Sequence, residues 1–110
     1  MNKELNIEYD STIVTNIEDS QTFYKSYDKS KNTLSNILTK YEKTKVIFER
    51  MQMITNGTLP YIPNPEKYDT IYEIVMEELK QKKIPFIIKR NINGRDELII
   101  SKKWRWTPTI

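Results

Sequence analysis

The chain contains no cysteine and no histidine. These absences exclude disulfides, thiol nucleophiles, imidazole bases and Cys/His zinc sites, and cysteine usage gives no information on the redox compartment. Two acidic pairs remain as candidate carboxylate sites, Glu73 with Glu77 and Asp96 with Glu97, but no cleft-forming pattern surrounds them. We therefore predict no catalytic residues, no cofactor and no metal site.

Long hydrophobic runs are also missing. No stretch approaches the roughly 18 apolar residues of a transmembrane helix, and the N-terminus lacks the layout of a secretory signal. We expect an intracellular protein without membrane contact. The 110 residues are 37% apolar and 30% charged. This composition predicts one small domain with a thin core that needs a partner for completion.

The net charge of +3 is unevenly distributed along the chain. Residues 1–36 hold four lysines and six acidic residues, a net charge of −2, and residues 37–110 hold 14 basic and nine acidic residues, a net charge of +5. The apolar residues of the first part follow no regular period. We predict a flexible N-terminal arm over 1–36 and a folded domain over 37–110. The arm is either an inert tail or docks through Phe23, Tyr24 and Tyr27.

A helix is predicted to begin near residue 40. Thr39 and Glu42 have the spacing of a capping box, in which each side chain bonds the backbone N–H of the other residue. An apolar stripe at helical spacing follows, made of Thr44, Ile47, Met51 and Ile54. Asn56 and Gly57 tolerate the left-handed conformation that ends a helix. The pattern predicts an amphipathic helix of about four turns.

A second amphipathic helix follows a connector with three prolines. Asp69 is predicted to cap its N-terminus, and Pro85 to prevent its continuation. The predicted apolar face contains Ile71, Val75 and Leu79. The predicted opposite face contains Glu73, Glu77 and Glu78.

A β-hairpin is predicted after this helix. Residues 84–92 form the first predicted strand, with Phe86, Ile88 and Ile92 on one face and Arg90 as the interruption. Asn93 and Gly94 are typical of a two-residue turn, because both central positions of a type I′ turn need positive φ. The return strand is predicted over 95–101. The fold class is therefore α+β, with two main helices and a C-terminal hairpin.

Two blocks of sequence resemble a known family. The first block contains Thr39-Lys40-Tyr41-Glu42-Lys43-Thr44-Lys45-Val46-Ile47 and then Arg50. It is similar to the Thr-Lys-Tyr-Glu-Arg-Ala-Arg signature of the small RNA polymerase subunit called subunit 6, subunit K or omega. The second block runs from Asp69 through Glu78-Leu79-Lys80 to Lys83-Ile84-Pro85-Phe86-Ile87-Ile88-Lys89-Arg90, and it resembles the family segment that contains Lys-Ile-Pro-Ile-Ile-Ile-Arg-Arg. The resemblance covers about residues 37–100.

The resemblance implies an omega-like domain without catalytic activity. It implies a subunit that clasps the largest RNA polymerase subunit and promotes assembly. The main partner is then the largest subunit, with other polymerase subunits around it, DNA contacted only through the complex, and no homo-oligomer. Residues expected to contact the partner are Lys40, Tyr41, Arg50, Met51, Ile84, Pro85, Phe86 and Arg90. The 16 isoleucines, nine asparagines and absence of alanine suggest a divergent viral member, located in the virion or host cytoplasm, or otherwise in the nucleus.

One alternative belongs to a different class. Residues 102–106 interleave lysine and arginine with Trp104 and Trp106, and indole rings can stack on unpaired bases for roughly 1–3 kcal/mol each. The chain would then be a small basic nucleic-acid-binding module. The two tryptophans could equally extend the return strand, one of them buried.

Overall fold

A computed structural model of the chain describes residues 9–16 and 36–106. These residues form strand β1 (Asp10–Val14), helix α1 (Lys40–Thr55), a 3₁₀ turn (Pro65–Lys67), helix α2 (Ile71–Lys80), strands β2 (Ile87–Ile92) and β3 (Arg95–Ile100), and a second 3₁₀ turn (Ser101–Lys103). The predicted α+β class is confirmed. Neither α1 nor α2 is long and apolar enough to cross a membrane.

Helix α1 has the predicted ends. The Glu42 N–H donates to the Thr39 hydroxyl at 3.0 Å, and the Thr39 N–H donates to Glu42 Oε1 at 2.9 Å, so the capping box is confirmed. Asn56 is the C-terminal cap, and Gly57 follows with φ of +107°. Glycine adopts this conformation without the steric cost of a side chain.

Helix α2 begins one residue later than predicted. The prediction of Asp69 as its N-cap was wrong: the Glu73 N–H donates to the Thr70 hydroxyl at 3.1 Å, and Asp69 is exposed. Both residue types are good caps. The cap is the last extended residue before the first helical turn. Thr70 occupies that position, with φ of −134° and ψ of 157°.

The C-terminus of α2 is closed by a lysine in a left-handed conformation. Lys82 has φ of +58°, its N–H bonds the Leu79 carbonyl at 3.0 Å, and the Lys83 N–H bonds the Glu78 carbonyl at 2.9 Å. These two bonds form the Schellman arrangement, in which glycine is the usual residue at the left-handed position. The helix therefore ends before Pro85 could interrupt it.

The sheet has one strand more than predicted. β1 pairs antiparallel with β2, and β2 pairs antiparallel with β3. The prediction of a flexible arm was therefore wrong for Asp10–Val14. Residues 1–8 and 17–35 of the predicted arm, including Phe23, Tyr24 and Tyr27, lie outside the described residues.

The predicted turn joins β2 to β3. Ile92 is paired with Arg95, and Asn93 and Gly94 between them have φ of 53° and 80°. Positive φ at both positions is the type I′ geometry that matches the twist of the two strands. β3 ends at Ile100, one residue earlier than predicted, because the second 3₁₀ turn begins at Ser101.

One hydrophobic core joins the helices to the sheet. Its buried members are Leu38, Val46, Val75, Leu79, Ile84, Phe86, Ile88, Ile99 and Trp104. The chain after β3 returns to the start of α1, where the Leu38 N–H donates to the Arg105 carbonyl at 2.7 Å. This return places Trp104 in the core, where its Nε1 donates to the Ile99 carbonyl at 3.0 Å.

Candidate partner-binding surface

Helix α1 turns a partly charged face toward the interior. Glu42, Val46 and Arg50 are 0% exposed, and their i, i+4, i+8 spacing places them on one face, which we call the inner face. The stripe predicted to be buried instead contained Thr44, Ile47, Met51 and Ile54. The prediction placed the centre of the buried face at the wrong residues: Thr44 is exposed, and the other three are half-buried beside the inner face.

Glu42 and Arg90 form a bidentate ion pair inside the chain. Arg90 Nε donates to Glu42 Oε2 and Arg90 Nη2 donates to Glu42 Oε1, both at 2.8 Å. Arg90 Nη2 also donates to the Ile37 carbonyl at 3.1 Å. The Ser11 hydroxyl donates to Glu42 Oε2, and Ser11 lies directly opposite Arg90 in the pairing of β1 with β2. The Glu42 carboxylate therefore joins α1 to two strands.

The surroundings of Glu42 favour its charged form. Burial alone would raise the pKa of Glu42, but hydrogen bonds from Arg90, Ser11 and the Thr39 N–H outweigh burial, and the pKa lies below its usual value of 4.5. Burial likewise opposes the charge of Arg90, but the hydrogen bond and attraction to Glu42 outweigh it and raise the pKa of Arg90. Both groups are therefore charged at neutral pH.

Arg50 and Glu78 form a second buried pair with the polarity reversed. Arg50 Nε donates to Glu78 Oε1 at 2.8 Å, and Arg50 Nη2 donates to Glu78 Oε2 at 2.7 Å. Glu78 Oε2 also accepts from the Tyr61 N–H at 2.8 Å, and Arg50 Nη2 lies 3.5 Å from the Leu59 carbonyl. This pair therefore joins α1 to α2 and to the proline-containing connector.

The Arg50–Glu78 pair is incompletely satisfied. Within the described residues, Arg50 Nη1 is buried and has no hydrogen-bond partner. The Tyr61 ring lies against the same guanidinium, with 5.3 Å between its centroid and Arg50 Cζ. A buried donor without a partner costs about 1–3 kcal/mol.

The residues predicted to contact a partner fall into three groups. Four are buried inside the chain, namely Arg50, Ile84, Phe86 and Arg90. Two are half-buried, Met51 and Pro85, and two are exposed, Lys40 and Tyr41. Arg50 and Arg90 are engaged in internal ion pairs, so the predicted direct contact with a partner does not fit their positions.

The side of α1 opposite to its core contacts carries accessible apolar surface. Tyr41 is 62% exposed and Phe48 is 57% exposed. Tyr41, Thr44 and Phe48 have i, i+3, i+7 spacing and lie on one face, which we call the outer face. The sequence predicted a contact role for Tyr41 but not for Phe48, although Phe48 also lies off the predicted stripe. The outer face is suited to bind a partner.

The two tryptophans do not form a platform for nucleic-acid bases. Trp104 is 0% exposed, so its ring cannot stack on a base. Trp106 is half-buried, with Lys43 Nζ 5.5 Å from its ring centroid. The nucleic-acid interpretation therefore loses one of the two aromatic residues on which it depended.

The acidic side chains of the hairpin have structural partners. Asn91 Nδ2 donates to Asp96 Oδ1 at 2.9 Å. Glu97 is buried and pairs with Arg95 Nη2 at 3.0 Å. Across residues 9–16 and 36–106, no three acidic side chains are grouped so that they could hold a metal ion.

The sequence prediction missed the roles of Glu78 and Ser11. The assignment of Glu78 to the solvent-facing side of α2 was wrong, because Glu78 is 0% exposed. A signal for its burial was present: Glu78 lies three residues after Val75 and next to Leu79, both of which belong to the apolar face. For Ser11 no local signal existed, because its position depends on pairing with a strand far along the chain.

Comparison with known proteins identifies relatives of this chain. No family model matches it. It is 39% identical over 75 residues to DNA-directed RNA polymerase subunit Rpo6 of Sulfolobus acidocaldarius, and the match covers 66% of this chain and 84% of that protein. It is 35% identical over 78 residues to DNA-directed RNA polymerases II and V subunit 6B of Arabidopsis thaliana. That match covers 64% of this chain and 54%, about half, of the plant protein.

The extent of the archaeal match decides the relationship. Identity of 39% extends over most of the length of a subunit 6 protein, in agreement with the resemblance predicted from two blocks of sequence. The chain belongs to the RNA polymerase subunit 6 family.

Proposed function

We propose that this chain is a non-catalytic small subunit of a multisubunit DNA-directed RNA polymerase, and that it clasps the largest subunit to promote assembly and stability of the enzyme. Similarity to two proteins named as polymerase subunits supports the subunit role. The exposed outer face of α1 supports the contact, because two large aromatic side chains project from a helix that is fixed on its other side by two ion pairs.

The outer face can supply substantial binding energy. Complete burial of a Phe-sized side chain contributes roughly 1.5–3 kcal/mol. Tyr41 and Phe48 are both more than half exposed, so most of this gain is still available for association. Because the inner face holds the helix in place, little ordering of α1 is needed on binding, and less of the gain is lost as entropy.

The other accessible residues of the predicted contact set would surround this surface. Lys40 is exposed one residue before Tyr41 and can reach a carboxylate of the partner. Met51 and Pro85 are half-buried and offer smaller apolar edges. In this arrangement the charged residue mainly orients the partner, and the aromatic side chains supply most of the affinity.

The proposed set of partners is narrow. It consists of the largest polymerase subunit and the neighbouring subunits, with DNA contacted only through the assembled enzyme, and it includes no membrane and no second copy of this chain. The chain would act wherever its polymerase transcribes, in the nucleus or, for a viral polymerase, in the virion or host cytoplasm. A viral origin stays a prediction from composition.

Purification of a tagged full-length chain from its own cells tests the subunit role. We expect mass spectrometry to find the largest polymerase subunit in about equal amount, together with other polymerase subunits. Nuclease treatment before purification should leave the complex intact, because the contact is between proteins. Recovery of the chain alone, or only with nucleic acid, would contradict the proposal.

A further inference from the structure

An open groove lies between α2 and the segment that follows β3. Its volume is about 450 Å³, and aromatic rings of Tyr68, Tyr72 and Trp106 line it together with Met76. Tyr72 is 51% exposed. The groove therefore offers aromatic surface that the chain's own core leaves accessible.

Lysines of the chain already lie over two of these rings. Lys67 Nζ is 5.3 Å from the centroid of Tyr68, and Lys43 Nζ is 5.5 Å from the centroid of Trp106. A cation within about 6 Å of a ring centroid is attracted by the negative face of the ring. The groove thus has aromatic rings that interact with cations.

Charged side chains of α2 line the groove in a fixed order. Glu73, Glu77 and Lys80 follow one another at i, i+4 and i+7, so they lie along one face of the helix. Thr70 Oγ1 donates to Glu73 Oε1 at 3.1 Å and Gln81 Nε2 donates to Glu77 Oε2 at 2.6 Å. Among the described residues, the second oxygen of each carboxylate accepts no hydrogen bond and can bind a ligand. The order of charges is negative, negative, positive.

We propose that this groove binds an extended segment of a protein partner in which two arginines and one acidic residue occupy alternate positions. Alternate residues of an extended chain are about 6.6–6.8 Å apart on the same side, which is close to the spacing of about 5–6 Å between the Cβ atoms of residues one helical turn apart. The two arginines pair with Glu73 and Glu77, and the acidic residue pairs with Lys80.

Arginine fits this groove better than lysine does. Its planar guanidinium can stack on a tyrosine ring while it donates two hydrogen bonds to a carboxylate. The two glutamates would repel phosphate, so a nucleic-acid strand does not fit. This site is separate in its residues from the outer face of α1 and does not depend on the polymerase partner proposed there.

Fluorescence titration of the full-length chain tests the site. The probe is the blocked seven-residue peptide Leu-Arg-Leu-Arg-Leu-Asp-Leu. A second titration uses the peptide of reversed sequence. We expect saturable binding of one of the two peptides with a change in Trp106 emission, because Trp106 lines the groove whereas Trp104 is buried. Replacement of both arginines by uncharged citrulline should weaken binding by about tenfold, at about fivefold or less per exposed ion pair.

Matched variants locate the binding. Glu73→Gln together with Glu77→Gln should weaken binding of the arginine peptide by about tenfold. Glu49→Gln together with Asp96→Asn removes the same charge outside the groove and should leave binding unchanged. Circular dichroism verifies that both double variants fold. Equal binding of the citrulline peptide, equal affinity of the two double variants, or no saturable change with either peptide would overturn the proposal.

Discussion

The two ion pairs that hold helix α1 have the same chemistry and reversed polarity, but they differ in how completely they are satisfied. Near the N-terminus of the helix, Glu42 accepts hydrogen bonds from Arg90, Ser11 and the Thr39 N–H. Near the C-terminus, Arg50 donates to Glu78, but its Nη1 has no hydrogen-bond partner among the residues that the structure describes. We refer to them as the N-terminal pair and the C-terminal pair.

The difference shows what a buried ion pair contributes to a small domain. The attraction between the two charges is largely offset by the cost of removing them from water. What remains depends on the other groups that each carboxylate satisfies. Glu42 caps its own helix and also joins it to β1 and β2, whereas within the described residues Glu78 accepts one further bond, from the connector. We therefore expect the N-terminal pair to be the more important for the fold.

Replacement of the arginine in either ion pair should have the largest effect on stability. Arg90→Met leaves Glu42 charged and buried, and we expect it to lower the free energy of unfolding by about 3–5 kcal/mol. Arg50→Met should cost less, because it also removes the buried Nη1 donor, which has no partner in the described part of the chain. Urea denaturation followed by tryptophan fluorescence measures both values. Equal losses, or a larger loss for Arg50→Met, would show that the N-terminal pair is not the more important of the two for the fold.

Replacement of both members of an ion pair should affect stability differently at the two ends of α1. Apolar residues in place of a buried ion pair are often neutral or even stabilising. Arg50→Met together with Glu78→Leu should therefore recover most of the loss caused by Arg50→Met alone, to within about 1–2 kcal/mol of the natural chain for the lost bond from the Tyr61 N–H. Glu42→Leu together with Arg90→Met should not recover, since the capping box is also lost. Urea denaturation again measures the free energy of unfolding. Recovery of stability in both double variants would show that loss of the capping box does not distinguish the two pairs.

The link from Glu42 to β1 should have an intermediate effect. Ser11→Ala removes one donor to the Glu42 carboxylate, and hydrogen bonds to charged groups contribute about 1.5–3 kcal/mol. Thr12→Ala, at an exposed position of the same strand, should change the free energy of unfolding by less than about 0.5 kcal/mol. If the two variants have equal stability, β1 is not held through Glu42.

Acid should reveal the smallest difference. Because the pKa of Glu42 is lower in the folded chain than its usual value of 4.5, protonation of Glu42 favours unfolding. Its contribution is complete above pH 4.5 and is lost as the pH falls through the lower pKa of the folded chain. Urea denaturation of the natural chain and of Glu42→Gln at several pH values isolates the contribution of Glu42 ionisation to the free energy of unfolding. An identical acid slope in the two proteins would show that Glu42 has no lowered pKa.

Features set by local sequence were the ones that could be predicted. The capping box of Thr39 and Glu42 and the turn at Asn93 and Gly94 depend on residues within a few positions of one another, and both are confirmed. The family relationship was likewise visible in two continuous blocks of sequence.

Features that depend on distant residues could not be read in the same way. β1 forms by pairing with β2, and its local signal is a run of three β-branched residues, Thr12, Ile13 and Val14, without an alternating pattern. Arg50 and Glu78 are charged, so each was expected to face solvent or a partner. Only their pairing with one another allows both to be buried.

We infer that α1 holds the fold with its inner face and binds its polymerase partner with its outer face. The most direct test measures how much of a tagged Phe48→Asp variant is purified with the largest subunit, compared with Thr58→Asp, which adds the same charge at an exposed loop position. We predict that both variants keep the unfolding free energy of the natural chain within about 0.5 kcal/mol. We also predict that Phe48→Asp lowers co-purification by about tenfold or more, the equivalent of about 1.5 kcal/mol of lost burial. Equal co-purification of the two variants would show that the outer face does not bind the largest subunit.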